Sequence, residues 1–448
     1  MRTRSPARVV FSLSLVVAAA LGGYAATAGP LDPPAGTVGP TYKTLTEVEP
    51  RVAIGAAHTP GDADSVFKVT QPGSYYLVGN VAGVASKHGI EITSGGVTLD
   101  LNGFELAGVA GSLDGVSVTA GGVSDVAVIG GTVRGWGGDG IDLGTLGARH
   151  CGVSRVVVSG NAGSGITSGQ GAAIVNCSAH NNGGDGLQGT SVAGCSAYTN
   201  GGHGIIVNGS ASECWAAVNG VSGSGDGIFG VADCTISECT ASSNASGAGI
   251  RVGDGATVTG CSASGNGVAG IIAGAGCTAS GCSTLNNTGT VAVSLGVSAG
   301  AGSAITGCTA SGNHGNGISV GIGSTVDACT ARFNSLDGIL CSSASAIRGN
   351  TCSNNGVNGQ GSNVHATASD NTIEGNTCSN GNRGVLMDAA GNVIVKNVCS
   401  GNVINWAIAA NNVCGPIVDR TAPASGAING NSAPSSLGTA EPNANFTY

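Results

Sequence analysis

Asp185, His203 and Asp226 each stand two residues ahead of an apolar residue, in Asp185-Gly186-Leu187, His203-Gly204-Ile205 and Asp226-Gly227-Ile228. In a chain that coils with this spacing the three side chains stack, and carboxylates two turns apart lie roughly 9 to 10 Å from each other. With an imidazole between them, that is near the upper end of the carboxyl separation used by inverting glycosidases. His180 and Tyr198 form a second matched pair and would serve a different chemistry, proton abstraction from an acidic sugar. Both assignments compete with a plainer one, in which polar side chains fill solvated turns.

Three other patterns bear on binding. Gly137-Gly138-Asp139-Gly140-Ile141-Asp142-Leu143 matches a calcium-binding nonapeptide pattern once, which makes Asp139 and Asp142 calcium candidates. That motif works by repetition, and a single copy also reads as an ordinary aspartate turn. Thr240 and Ser242, Ser262 and Ser264, and Thr309 and Ser311 set out two columns of hydroxyls, continued by Thr351 with Ser353 and Thr377 with Ser379. Such a lattice can order water, bind ice, lie along a polysaccharide, or simply solvate a sheet with few charges. Trp215, Tyr198 and Phe229 are the aromatic platforms at hand in a chain that is only 3% aromatic. No Cys-x-x-Cys pair occurs, and Cys234 with Cys239 and Cys277 with Cys282 belong to separate columns, so no zinc site and no other cofactor is expected.

The elements that hold these residues follow from a repeat of about 21 residues. With the cysteine as zero, one column reads Cys177, Cys195, Cys214, Cys239, Cys261, Cys282, Cys308 and Cys329, then Asn350, Asn376 and Asn397. Two residues on lie Ala179, Ala197, Ala216, Ala241, Ala263, Ala310 and Ala331, then Cys352, Cys378 and Cys399. Three residues before zero comes Ile or Val, which reads as core. Five after it comes asparagine, from Asn161 to Asn355, which reads as a turn. Alternation such as Ile250-x-Val252 is a strand signal, and glycine and asparagine supply left-handed bends. The pattern predicts an all-β, parallel β-helix of roughly fifteen coils, three short strands per coil, stacked about 4.8 Å apart. Gly-Ile steps mark the coils from Ile90 to Val385 and Ile408.

Sixteen cysteines would usually mean a disulfide framework. Stacked in register, however, their side chains run parallel, which makes the disulfide dihedral hard to reach, so buried free thiols are expected. Arg2, Arg4 and Arg8, an apolar run from Val9 to Leu21 and Ala26-Thr27-Ala28 form the pattern of a secretory signal peptide cleaved after Ala28. Its loss moves the net charge from −9 to −12. This balance argues against nucleic acid and anionic membrane as partners, and no later apolar run is long enough to span a bilayer. The expected location is secreted, extracellular or periplasmic.

Val97-Thr98-Leu99-Asp100-Leu101-Asn102-Gly103-Phe104, followed by Gly130-Gly131-Thr132-Val133-Arg134-Gly135-Trp136, resembles the first coils of the pectate-lyase-like superfamily of right-handed parallel β-helices. Thr44-Leu45-Thr46-Glu47-Val48-Glu49-Pro50-Arg51, Gln71-Pro72-Gly73-Ser74-Tyr75-Tyr76-Leu77 and Asn443-Ala444-Asn445-Phe446 are similar to a group of exported bacterial β-helix proteins. The resemblance implies the right-handed fold over residues 40 to 448 and leaves the reaction open, because lyases, hydrolases, epimerases, tailspikes and plain surface proteins share it. Of the segments typical of polygalacturonases, only Gly202-His203-Gly204 is matched. The coil arginines Arg155, Arg251, Arg332 and Arg348 stand apart from acidic neighbours in the sequence, unlike a lyase base beside its calcium cluster.

The chain therefore divides into a signal peptide (1–28), an N-terminal cap region (29–78), the β-helix (79–418) and a C-terminal tail (419–448). Its expected role is a structural or glycan-contacting surface protein without a standard catalytic site, with polysaccharide or cell-surface glycan as partner. The alternatives are a polysaccharide lyase or glycoside hydrolase acting on an acidic polysaccharide, centred on the coils from Cys177 to Cys239, and a water- or ice-ordering hydroxyl face.

Overall fold

The computed structural model describes residues 49–288, 295–356, 359–419, 421 and 439–448. The signal peptide and most of the cap and tail segments read from the sequence lie outside these residues. Arg51–Tyr448 forms one unit, and everything described below belongs to it.

One coil shows how the sequence builds the solenoid. Ile250–Val252 lies in a first sheet, Thr257–Thr259 in a second and Ser262–Ser264 in a third. Ile250, Val252, Val258 and Ala263 point inward and are buried, while the residues between them face out. Two corners in left-handed backbone bracket the third strand, at Gly260 (φ 63°) and Gly265 (φ 63°). Glycine adopts this conformation without steric cost, yet the preceding coil uses Glu238 (φ 53°) and Ser243 (φ 55°) at the same corners. The bend is thus imposed by the stacking as well as by residue choice.

Strands of successive coils pair in parallel and in register, as in Ile250 with Ile271, Val258 with Ala279 and Ala263 with Thr284. The product is an all-β right-handed parallel solenoid of about 16 turns, close to the fifteen expected. One short 3₁₀ turn, Thr145–Gly147, interrupts the described strands. The first sheet begins within the segment assigned to the cap, where Ser65–Val69 pairs Phe67 with Ile90. At the other end Val385 pairs with Trp406, so the column position belongs to Trp406 and Ile408 sits two residues further along. Part of the tail is strand: Asn445–Thr447 pairs with Val398–Ser400 on one side and Ile417–Asp419 on the other.

The asparagine column is more than a turn. Asn161 donates its side-chain amide to Oδ1 of Asn182, Asn182 to Asn200 and Asn200 to Asn219, at 2.9 to 3.0 Å, and the ladder runs on to Asn355. Each Oδ1 also accepts the backbone N–H of the asparagine one coil earlier, as Asn266 does from Asn244 at 3.1 Å. These amides are buried and would be costly without partners, so the ladder fixes each coil's register on the next. A second ladder takes over the cysteine column where its chemistry changes, from Asn350 through Asn376 and Asn397 to Asn445.

Candidate functional site

The turns that lead into the first sheet carry Asp185, His203 and Asp226, two residues ahead of strands that begin at Leu187, Ile205 and Ile228. Ser164 N–H donates to Asp139 Oδ1 (2.7 Å), Asp185 N–H to Ser164 Oγ (3.2 Å), His203 N–H to Asp185 Oδ1 (2.6 Å) and Asp226 N–H to His203 Nδ1 (2.9 Å). Asp185, His203 and Asp226 therefore do stack one coil apart, and each side chain caps the backbone of the coil above it. Asp226 is further committed: Arg251 Nε reaches its Oδ2 at 2.8 Å and Nη2 its Oδ1 at 3.2 Å, and only 5% of its side chain is exposed. The arginine that stood alone in the sequence gains its acid through the coil stacking.

Asp139 and Asp142 join this face. Asp142 pairs in register with Ser117 and Thr167, and Thr167 Oγ1 donates to Asp139 Oδ2 at 2.8 Å. Burial, then the charges of Asp114 and Asp142, pushes the Asp139 carboxyl above its usual range. Asp142 Oδ1 accepts the Gly144 N–H at 2.9 Å. Asp142 thus serves its own turn, while Asp139 is bonded to the next coil through Ser164 and Thr167. Phe229 lies on the same face, its ring 5.1 Å from that of His203.

His180, Tyr198 and Trp215 sit apart, on the third sheet. His180 and Tyr198 pair in register and stack with centroids 4.8 Å apart and planes 13° from parallel, so each spends a ring face on the other. Trp215, tilted at 5.9 Å from Tyr198, ends the stack with 44% of its surface exposed. It is in register with Thr240, and the outward column continues through Ser262, Ser283, Thr309, Thr330 and Thr351 to Thr377. The neighbouring column, Ser242, Ser264, Ser311, Ser353 and Ser379, is interrupted by Leu285 and Arg332.

Two constellations were not visible in the sequence. His365 places Nδ1 3.1 Å from Asp337 Oδ2 and Nε2 2.8 Å from Asp388 Oδ2, joining three successive coils. Asp62, Asp64 and Glu91 bring carboxylate oxygens within 4.8 Å of one another. The Lys68 ammonium, 2.7 Å from Asp62 and 2.9 Å from Glu91, already supplies the cation there.

The right-handed β-helix region family matches residues 114–288, 188–325 and 292–420, and the chain belongs to this family. No curated protein sequence matches it. Among solved structures it is similar to the A-module of an Azotobacter vinelandii mannuronan C-5 epimerase, at 16% identity over 77% of this chain and 91% of that one, TM-score 0.35. It is also similar to the catalytic domain of an α-1,3-glucanase, at 13% identity over 76% and 70% of the two chains, TM-score 0.36. The Dettilon tailspike protein is 16% identical over 74% and 60%, TM-score 0.32. Likeness at this level assigns neither substrate nor reaction. No helix among the described residues is long and apolar enough to cross a membrane.

Proposed function

We propose that this is an exported β-helix protein whose third sheet is a glycan-contacting surface. The observation that carries the reading is the register of exposed Trp215 with an unbroken column of seven hydroxyl side chains, Thr240 to Thr377. Hydroxyls repeat at the strand spacing of about 4.8 Å, and the second column stands two residues, about 6.6 Å, away along each strand. Over these coils Arg332 is the one charge in the two columns, within a chain of net charge −9. A regular, hydrogen-bonding face with a single charge, headed by an indole, suits an extended polyhydroxylated chain better than a charged partner. Export rests on the signal-peptide pattern of residues 1–28.

The test is retention of the mature protein on insoluble plant, algal and bacterial polysaccharides. Trp215→Ala should weaken retention roughly five- to tenfold, the scale of one aromatic contact. Thr309→Lys should weaken it as well. Retention on none of the panel, by protein shown to be folded, would sink the reading.

A second reading, a polysaccharide lyase or hydrolase on the first sheet, is favoured by the shared face of Asp139, Asp185, His203 and Asp226. Release of reducing or unsaturated ends that disappears in His203→Ala and persists in His180→Ala would establish it.

A further inference from the structure

Beside the acidic column, at the edge between the first and second sheets, a groove of about 460 Å³ is lined by Thr167, Ser168, Gln170, Gln188 and Asn208 together with Gly144 and Gly169. No charged side chain lines it. Among the described residues, the side-chain amides of Gln170, Gln188 and Asn208 make no hydrogen bond within the protein, although asparagine amides elsewhere in the solenoid are bonded coil to coil. Three carboxamides thus converge on one groove with all their donors and acceptors uncommitted.

The backbone is altered at the same place. Gly189 pairs with Val207 and Ser191 with Ser210, so Thr190 alone faces two residues, Asn208 and Gly209. This is a β-bulge, and the extra residue turns Asn208 out to an exposed position at the groove. The groove floor is bare backbone because nothing larger fits: a Cβ at Gly169 would meet the Ala148 carbonyl oxygen at 1.9 Å.

We propose that this groove is a binding site for a neutral oligosaccharide, recognised by the carboxamides of Gln170, Gln188 and Asn208. A carboxamide both donates and accepts, as sugar hydroxyls do, and three of them need no counter-charge. An anionic sugar is disfavoured because Asp139 is tied to Thr167 on the groove wall and no cation lines the groove. The site is on a different face from Trp215 and stands or falls separately from the third-sheet reading.

Saturation-transfer NMR and calorimetry on the mature protein, with neutral gluco- and mannohexaose and with hexagalacturonate as probes, test it. A neutral hexasaccharide should bind, and Gln188→Ala and Asn208→Ala should each weaken binding roughly 3- to 10-fold. Both amide substitutions are at the surface, so unchanged melting temperatures keep the comparison clean. No response to either neutral probe, equal affinity in the amide variants, or preference for hexagalacturonate would overturn the proposal.

Discussion

The backbone N–H of His203 donates to Oδ1 of Asp185 over 2.6 Å, and this contact ties one coil to the next. The carboxylate is thereby given a structural task before any catalytic one. Asp185→Asn keeps an oxygen in place and should hold stability within about 0.5 kcal/mol, whereas Asp185→Ala should cost about 1–3 kcal/mol by orphaning the donor. Urea melts measure both. If Asp185 also acted as an acid or base, the asparagine variant would lose turnover while keeping its midpoint.

Asn244 should be among the least replaceable polar residues. Fully buried, it accepts from both the backbone N–H (2.9 Å) and the side-chain amide (3.2 Å) of Asn219, and donates to Asn266 Oδ1 at 2.9 Å. Asn244→Ala strands the two Asn219 donors, at roughly 1–3 kcal/mol for each buried group left unpaired, while Asn266 Oδ1 keeps the backbone N–H of residue 244 and loses only its second donor. Asn244→Asp keeps the acceptor but brings an unpaired charge into the core, and should be no better. Denaturant midpoints of the two variants check this. A loss below about 0.5 kcal/mol in the alanine variant would show that water takes over the ladder.

The inward columns were legible because small and branched residues recur at fixed offsets, and every coil repeats the test. The asparagine column was legible as a corner, but its buried ladder was not. Asn266 has the residue type that favours a left-handed turn, and nothing in a sequence distinguishes an exposed bend from an amide buried beside one. Trp406 and Ile408 were interchangeable for a related reason: two residues apart on a strand, both face inward, so a slip of two leaves the pattern intact. Asp185, His203 and Asp226 could be placed because all three precede the same step. Asp337, His365 and Asp388 could not, since they stand at different offsets from it and are 28 and 23 residues apart. Their meeting depends on diagonal neighbours across the first sheet, which no single column displays.

His365 should make stability depend on pH. Burial disfavours its charged form, but the hydrogen bonds and charges of Asp337 and Asp388 outweigh that and hold the imidazole above its ordinary range. A histidine raised in the folded state adds stability that is fully present below the unfolded value of about 6.5. That stability disappears as pH rises through the folded value. The gap in stability between the native chain and His365→Gln should therefore be on the order of 1–3 kcal/mol near pH 5 and shrink above neutrality. Asp388→Asn should remove part of the same gap. A pH-independent gap in paired urea melts would show that the imidazole titrates alike in the folded and unfolded chain.

The thiols should behave as one group with a single exception. All sixteen cysteines are free, fifteen are buried and Cys414 is exposed. Along the main column each Sγ lies near the carbonyl two residues back, as in Cys214 to Ser212 (3.1 Å), Cys239 to Ser237 (3.2 Å) and Cys261 to Thr259 (3.3 Å). The thiol therefore acts as a small filler with a weak donor that satisfies the corner carbonyl. Burial pushes Cys234 up to about 11 and Cys341 up to about 12, whereas the thiols stacked on either side hold Cys214 and Cys282 below the usual range, so inaccessibility rather than charge state keeps the buried thiols unreactive. An aromatic disulfide reagent should titrate one thiol quickly in the folded protein and sixteen after unfolding in denaturant. Cys414→Ser should abolish the fast phase, while Cys261→Ser should leave it intact. Several fast thiols in the native protein would mean that the coils open readily, and fewer than sixteen after unfolding would mean that some have paired despite their parallel stacking.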